Sequence, residues 1–197
     1  INIQLREPLN NTSDGQVWQE EPGLKHPLNF SKAYFNCERL NTLCNSAKGL
    51  LVVGELLAGT VQDKIIGLAE KLGWPLFADV TSNLRFVDHP LILHHFDLAL
   101  SNRQFLDELD FTTVLLLGDR IVSKHFWAWV ERSEHIKFCR LSEHENTIDH
   151  IGVIEHFWVG DLSLSIENID PRREKKLWTK NLFKVHEAVK QKVHQFL

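Results

Sequence analysis

Methionine is absent from this chain of 197 residues, so the sequence does not contain even an initiator. The first five residues, Ile1–Leu5, alternate between apolar and polar side chains as a strand does, with no preceding context. These two features predict that the chain is a piece of a longer protein. The alternative is a complete protein whose start was removed by processing.

Cysteine is scarce, and the pattern of a disulfide or zinc framework is missing. Cys37, Cys44 and Cys139 form no Cys-x-x-Cys pair, which favours reduced thiols in a cytoplasmic protein and argues against structural zinc. No apolar run approaches the ~18 residues of a membrane span, and Ile1–Arg6 lacks the basic and apolar regions of a secretory leader. We therefore expect neither secretion nor membrane insertion.

Three motifs of nucleotide binding and acyl transfer are also missing, namely Gly-x-Gly-x-x-Gly, the Walker loop and Gly-x-Ser-x-Gly. In the loop 54–59, which follows the first predicted core strand, Glu55 places a negative charge where a pyrophosphate would approach. The sequence therefore predicts that neither FAD nor NAD binds in the ordinary manner.

Short apolar runs alternate with segments of helical periodicity. The run Gly49–Gly54 has the form of a buried parallel strand, and apolar residues at helical spacing follow it up to Gly73, a typical helix stop. Because parallel neighbours need crossover connections, this alternation predicts an α/β fold with a doubly wound, mostly parallel sheet of about five or six strands. The other predicted strands cover 74–80, 112–118, 136–141 and 151–159, and the other helical segments cover 94–109 (broken), 123–132 and 161–169.

The segments on either side of this core differ from it in composition. Residues 7–48 contain three prolines among several Asn, Ser and Asp residues and lack periodicity, which predicts a linker lying over a surface. In 171–197 apolar residues return at helical spacing, and the net charge is +6, which leaves −10 for residues 1–170. A basic helix can bind nucleic acid or an acidic membrane. The acidic remainder of the same protein is the nearer partner, so we expect neither.

Histidine is abundant, with 11 in the chain, and two groups suggest a metal site. The adjacent pair His94 and His95 points about 100° apart on a helix and shares no face. The second group spans a predicted loop with no fixed register. We therefore interpret both groups as surface histidines. The groups are His94, His95 and Asp97, and His144, Asp149, His150 and His156.

The loop that follows the strand ending at Leu117 carries a candidate anion site. Ser123 can cap the next helix, which places Lys124 and His125 in its first turn, where cations oppose the positive end of the helix dipole. That placement is locally unfavourable unless an anion or carboxylate binds there. The alternative, two solvent-exposed basic residues, stays equally open.

Five segments occur in a recognisable order: Leu5–Leu9, Leu68–Leu76, Asp79–Ser82, Leu117–Gly118 and Ser123–Lys124. Together they resemble the central domain of the thiamine-diphosphate-dependent 2-succinyl-5-enolpyruvyl-6-hydroxy-3-cyclohexene-1-carboxylate synthases (SEPHCHC synthases) of menaquinone biosynthesis. The likeness extends over nearly the whole chain. Its most specific parts are the Arg-Glu-Pro-Leu and Leu-Gly-Trp-Pro segments.

The resemblance implies a Rossmann-like domain of an enzyme that decarboxylates 2-oxoglutarate on thiamine diphosphate and adds the succinyl carbanion equivalent to isochorismate. It also implies a cytoplasmic, homo-oligomeric bacterial enzyme whose other domains hold thiamine diphosphate and Mg²⁺. Gly118–Arg120 and Gly160–Leu162 lack the second glycine of the family's Gly-Asp-Gly motif. We therefore expect no catalytic residue, cofactor or metal in this chain, which by itself would be inactive. The alternative is a non-catalytic nucleotide-binding or interaction α/β domain.

For individual residues, the resemblance implies that Lys124, together with His125 and Arg120, binds substrate. The family commonly has Lys-Arg at the start of this helix, and His125 departs from that pattern because imidazole is shorter, lacks the guanidinium fork and is only partly protonated at neutral pH. The implied organisation is the end of a preceding N-terminal domain (1–10), a linker (11–48), the central domain (49–170) and a helical connection towards a missing C-terminal domain (171–197).

Overall fold

The core of the protein is one parallel β-sheet. The computed structural model describes residues 29–32, 38–56, 61–102, 105–106, 109–145, 149, 151–171 and 180–196. Its strands are β1 (Asn29–Lys32), β2 (Gly49–Val53), β3 (Leu76–Ala78), β4 (Ile92–Leu93), β5 (Thr113–Leu117), β6 (Lys137–Ser142) and β7 (Ile154–Val159). They pair in the order β1-β7-β6-β5-β2-β3-β4, and all these pairings are parallel. This arrangement confirms the predicted α/β fold.

Two short edge strands raise the strand number from the predicted five or six to seven. β1 has four residues and β4 has two, so neither is long enough to show a periodic pattern. Both are held at the sheet edges by pairing with β7 and β3 respectively. The inner strands β2 and β5 are buried at every position, which is why their apolar runs were sufficient to predict them.

The predicted linker, 11–48, contains two elements of this domain. β1 pairs with β7, and helix α1 (Glu38–Cys44) buries Leu40 and Cys44 against one face of the sheet. This corrects the linker interpretation for those two segments. The physical reason is that β1 is held by backbone hydrogen bonds and α1 has only two turns, so neither needs a long apolar repeat. Residues 1–28 lie outside the described residues.

The helices cover both faces of the sheet. Helices α1, α2 (Gln62–Leu72) and α5 (Leu162–Glu167) pack on one face. Helices α3 (Phe96–Leu100), α4 (Lys124–Arg132) and α6 (Lys180–Phe196) pack on the other. Among the described residues, no helix is both long and apolar enough to cross a membrane.

Two local signals predicted from the sequence are confirmed. Gly73 ends α2 in the left-handed conformation with φ of 65°, and its N–H donates to the Glu70 carbonyl at 3.2 Å. Ser123 caps α4, since its Oγ accepts a hydrogen bond from the Phe126 N–H at 3.0 Å.

The basic tail forms the predicted helix, α6, over residues 180–196. Leu182 is buried, and Phe183, Val185 and Val189 pack against the same apolar cluster as α3. The helix therefore docks on the sheet domain itself. Trp178, which belongs to the predicted apolar stripe, lies outside the described residues.

Candidate functional site

The loops after β2 and β5 meet where the strand order reverses. β2 and β5 are neighbours, and the chain continues from β2 to β3 on one side and from β5 to β6 on the other. In open parallel sheets, ligands bind at such a point, in the crevice outside the carboxyl ends of the strands. A dinucleotide would be expected there.

In this protein the described parts of the two loops close that crevice with backbone hydrogen bonds to each other. The Glu55 N–H donates to the Arg120 carbonyl, and the Asp119 N–H donates to the Glu55 carbonyl, both at 2.8 Å. A side chain at Gly54 would not fit, because its Cβ would lie 2.6 Å from the Arg120 carbonyl oxygen. The amides of Glu55 and Asp119 thus serve contacts within the chain and are not free to bind a pyrophosphate.

Equilibrium dialysis of the chain against FAD or NAD at ~100 μM should therefore show no retention beyond that of a protein without a nucleotide site, because a competent site needs amides at a helix start. A dinucleotide-binding Rossmann protein measured in parallel provides the positive signal. Retention with micromolar affinity would contradict the interpretation of the closed crevice.

Asp79, at the end of β3, joins this edge into one unit. Its carboxylate is 2% exposed and accepts hydrogen bonds from the Thr81 N–H at 3.1 Å, the Thr81 hydroxyl at 2.8 Å and the Val122 N–H at 3.0 Å. The Thr81 hydroxyl also lies 3.3 Å from the Arg120 carbonyl. The Asp79–Ser82 segment, which follows β3, therefore fixes the loop between β5 and α4 across the end of β2.

The start of α4 is held by α3. The Ser123 hydroxyl donates to Asp97, and Nδ1 of His125 lies 3.4 Å from the same carboxylate oxygen. His125 is half exposed, with 51% of its side chain accessible, but its ring already faces Asp97. The His125 ring is therefore directed towards α3.

The structure brings the three predicted substrate-binding residues to one edge of the sheet. Arg120 lies in the loop after β5, and Lys124 and His125 begin α4; the side chains of all three are exposed. Within the described part of the chain, no salt bridge involves Lys124 or Arg120. Their charges therefore face solvent at the carboxyl ends of the strands.

A buried ionic network beneath this edge was missed by the sequence reasoning. Arg140 in β6 is fully buried; its Nε donates to the Gly118 carbonyl at 3.0 Å, and its guanidinium pairs with Asp119. The Ser142 hydroxyl also donates to Asp119, and Nδ1 of His144 lies 2.6 Å from its Oδ2. A lone arginine inside an apolar strand, Phe138-Cys139-Arg140-Leu141, was the available signal.

The network keeps Asp119 ionised. Burial alone would raise the pKa of the Asp119 carboxyl, but hydrogen bonds from Ser142 and His144 and the charge of Arg140 outweigh it, so this pKa lies below its usual value. Burial also lowers the pKa of Arg140, although the Asp119 charge opposes that shift. The anion and cation thus stabilise each other under the loop that carries Arg120.

The histidines do not form a metal centre among the described residues, which contain no group of three or more suitable ligands. The interpretation as surface histidines is wrong for His156, which lies in β7 with 6% exposure and a ring centroid 4.2 Å from that of Trp158. Burial lowers the pKa of His156 to about 4. The sequence did not show that His156 is buried, because residues 151–159 carry apolar side chains on both faces of the strand and so do not indicate which face is buried. His150 lies outside the described residues.

A cavity of about 450 Å³ opens at the opposite edge, where β5 and β6 begin at Thr113 and Lys137. The Cys139 thiol lines it, and burial raises the pKa of that thiol to about 12. A thiol in that state is not a nucleophile at neutral pH. Because the cavity lies at the amino ends of β5 and β6, it is separate from the edge that carries Lys124.

These features define a class of protein: a doubly wound parallel α/β domain in which the described parts of the loops after β2 and β5 are joined by backbone hydrogen bonds. A family model described as "Middle domain of thiamine pyrophosphate" matches residues 17–197. The chain belongs to this family of middle domains of thiamine pyrophosphate enzymes.

Curated relatives carry the name 2-succinyl-5-enolpyruvyl-6-hydroxy-3-cyclohexene-1-carboxylate synthase. That of Shewanella amazonensis is 29% identical over 147 residues, covering 73% of this chain and 25% of the relative. That of Listeria monocytogenes serotype 4b is 27% identical over 145 residues, covering 70% of this chain and 25% of that relative. A solved chain from Mycobacterium smegmatis, described as a thiamin diphosphate-dependent enzyme, has a TM-score of 0.47 at 21% identity, covering 72% of this chain and 29% of that chain. The chain spans about a quarter of the length of these curated relatives.

Proposed function

We propose that this chain is the middle domain of a SEPHCHC synthase, an enzyme that decarboxylates 2-oxoglutarate and adds the resulting succinyl unit to isochorismate. The names of the relatives support the reaction. The main support for a role of this domain in substrate binding is the fixed loop after β5. This loop and the start of α4 present Arg120 and Lys124 at the carboxyl edge of the sheet, where neither has a salt-bridge partner among the described residues. Both substrates are carboxylates, and such an edge suits them.

In this proposal the domain binds and orients an anionic substrate. Lys124 donates a charge-assisted hydrogen bond to a substrate carboxylate, Arg120 adds positive charge, and His125 contributes less because its ring faces Asp97. Asp79 and Arg140 act as positioning residues, since they hold the loop through Val122 and Gly118 respectively. The enzyme as a whole is proposed to be cytoplasmic and homo-oligomeric.

Among the described residues, the Gly118–Arg120 turn does not fit thiamine diphosphate and Mg²⁺. The carboxylate of the Gly118–Arg120 turn, Asp119, already accepts hydrogen bonds from Arg140, Ser142 and His144. Its oxygens are therefore engaged within the protein, and the turn lacks the second glycine of the motif implied by the family resemblance. The proposal places cofactor and metal in other domains, and the isolated chain is expected to make no product.

The test is Lys124→Ala in the full-length enzyme, with 2-oxoglutarate and isochorismate varied separately. Loss of a charge-assisted hydrogen bond worth ~1.5–3 kcal/mol should lower the specificity constant for one substrate by roughly 10- to 100-fold. The thermal midpoint should barely move, because Lys124 is exposed. The substrate whose specificity constant falls identifies the carboxylate that Lys124 contacts.

Two further variants serve as controls. Lys137→Ala removes an exposed lysine at the opposite edge, where β6 begins, and should leave both specificity constants unchanged. His125→Arg should be neutral or mildly beneficial, because it restores the guanidinium fork implied by the family resemblance. If Lys124→Ala behaves like Lys137→Ala, the domain is a scaffold without a substrate contact at this position.

The second candidate function is a non-catalytic nucleotide-binding or interaction domain. The closed crevice between the loops after β2 and β5 disfavours the nucleotide part of that alternative. Activity of the full-length enzyme on the two substrates distinguishes the remaining interaction role from the synthase.

A further inference from the structure

Helix α6 docks on the sheet domain through a contact that contains three imidazoles. Its apolar side chains, among them Leu182 and Val185, pack against the cluster beneath α3. His186 lies in the same contact, and its side chain is almost fully buried, with 5% exposure. A titratable ring thus occupies the middle of the surface that joins α6 to the rest of the protein.

The rings of His94 and His95 face His186 from the segment that leads into α3. Their centroids lie 5.9 Å and 6.0 Å from that of His186, and the His95 ring is nearly parallel to it, at 24°. Within the described residues, the buried Nδ1 of His186 has no hydrogen-bond partner. Since a buried polar atom costs free energy when it is unpaired, a proton added at Nδ1 would have neither solvent nor a partner among the described residues to stabilise it.

Among the described residues, the titratable groups that act on His186 are all basic, namely His94 and His95 from the α3 side and Lys190 from α6. Burial, and after it these three groups, lower the pKa of His186 to about 4. The carboxylate of α3, Asp97, is engaged by Ser123 and His125. Glu187, next to His186 in α6, points to solvent.

We propose that the contact of His186 with His94 and His95 is a pH-sensitive latch, which holds α6 on the sheet domain while His186 is neutral and releases it in mild acid. This role is independent of the proposed enzymatic function. A protonated His186 would leave a buried charge among basic neighbours, whereas in the released helix the same charge is solvated.

The direction of the effect follows from linkage. His186 titrates near 6.5 when it is solvated and at about 4 when α6 is docked, so the docked state is fully favoured above pH 6.5 and loses stability as the pH falls below it. At pH 5 the equilibrium constant for release should be about 30-fold larger than at pH 8.

Amide hydrogen exchange of the chain, followed by mass spectrometry of peptides covering α6, measures this equilibrium. After correction for the pH dependence of intrinsic exchange, protection of α6 should fall by about 30-fold between pH 8 and pH 5. Protection of β2 and β5, which have no titratable side chain in the strands themselves, should change much less. Equal protection of α6 at the two pH values overturns the latch.

Substitution identifies the group responsible. In His186→Gln, the loss of protection should shrink to within about threefold, while the matched variant His135→Gln, at an exposed histidine between α4 and β6, should keep the full loss. If His186→Gln releases α6 at every pH, His186→Phe keeps the ring and its packing without a proton and should remain docked at pH 5. Full pH sensitivity in His186→Phe assigns the effect to another group and refutes the proposal.

Discussion

Replacement of Arg140 by alanine is expected to lower the free energy of unfolding by about 3–5 kcal/mol, because it removes the fully buried cation of an ion pair and leaves the Asp119 carboxylate with only Ser142 and His144 as partners among the described residues. The guanidinium is fully buried, donates to the Gly118 carbonyl at 3.0 Å and pairs with Asp119. It also lies 4.7 Å from the centroid of the Phe157 ring, a contact that the variant loses as well.

Urea denaturation monitored by tryptophan fluorescence measures this loss. Arg132→Ala is the matched control, since Arg132 is an exposed arginine at the end of α4, and it should change stability by less than about 0.5 kcal/mol. Arg140→Met combined with Asp119→Asn removes both charges while keeping much of the volume, and should recover part of the loss. A loss below about 1 kcal/mol in Arg140→Ala would show that the ion pair is not desolvated as the structure indicates.

Gly49→Ala should cost about 3 kcal/mol, at the upper end of what overpacking a core costs. A Cβ at Gly49 would lie 1.9–2.2 Å from three atoms of the Trp74 indole. The indole cannot move aside cheaply, because Trp74 is fully buried and its Nε1 donates to the Ser46 carbonyl at 3.2 Å. The added methyl group therefore forces either the first residue of β2 or the indole out of place.

Gly67→Ala provides the contrasting result with the same chemical change. Gly67 lies in α2, and a Cβ there would meet no atom within 4 Å. This variant should raise the free energy of unfolding by about 0.5–1 kcal/mol, through the lower backbone entropy of alanine in the unfolded chain. Gly49→Ala combined with Trp74→Leu should lose less than the sum of the single losses, since a smaller side chain makes room for the methyl group. Equal stability of the two glycine variants would contradict the packing around Trp74.

The prediction from sequence was strongest where one element contains its own signal. β2 and β5 are continuous apolar runs, and both are buried at every position. Gly73 and Ser123 mark a helix end and a helix start through interactions with residues within four positions of themselves. Such signals need no knowledge of which strands are neighbours, so they could be predicted from the sequence alone.

The candidate site was predicted in part. The sequence placed Arg120 in the loop after β5 and placed Lys124 and His125 in the first turn of the next helix, and the structure brings all three to the carboxyl edge of the sheet. It did not predict that Asp79 and Asp97, from two other segments, hold that loop through Val122 and Ser123. Those contacts join residues 26 and 43 positions apart, and no periodic pattern relates such positions.

By itself, the sequence determined the class of fold, the inner strands, most of the helices and the resemblance to a family. This was possible because hydrophobic periodicity and helix capping depend on residues that are close together in the sequence. Only the tertiary structure decided that β1 and β4 complete the sheet edges, that Arg140 lies buried against Asp119, and that His186 meets His94 and His95. These depend on which elements become neighbours. The pairing of an edge strand and the burial of a polar side chain both follow from which elements lie next to each other in the fold. The order of residues along the chain does not indicate these neighbours directly.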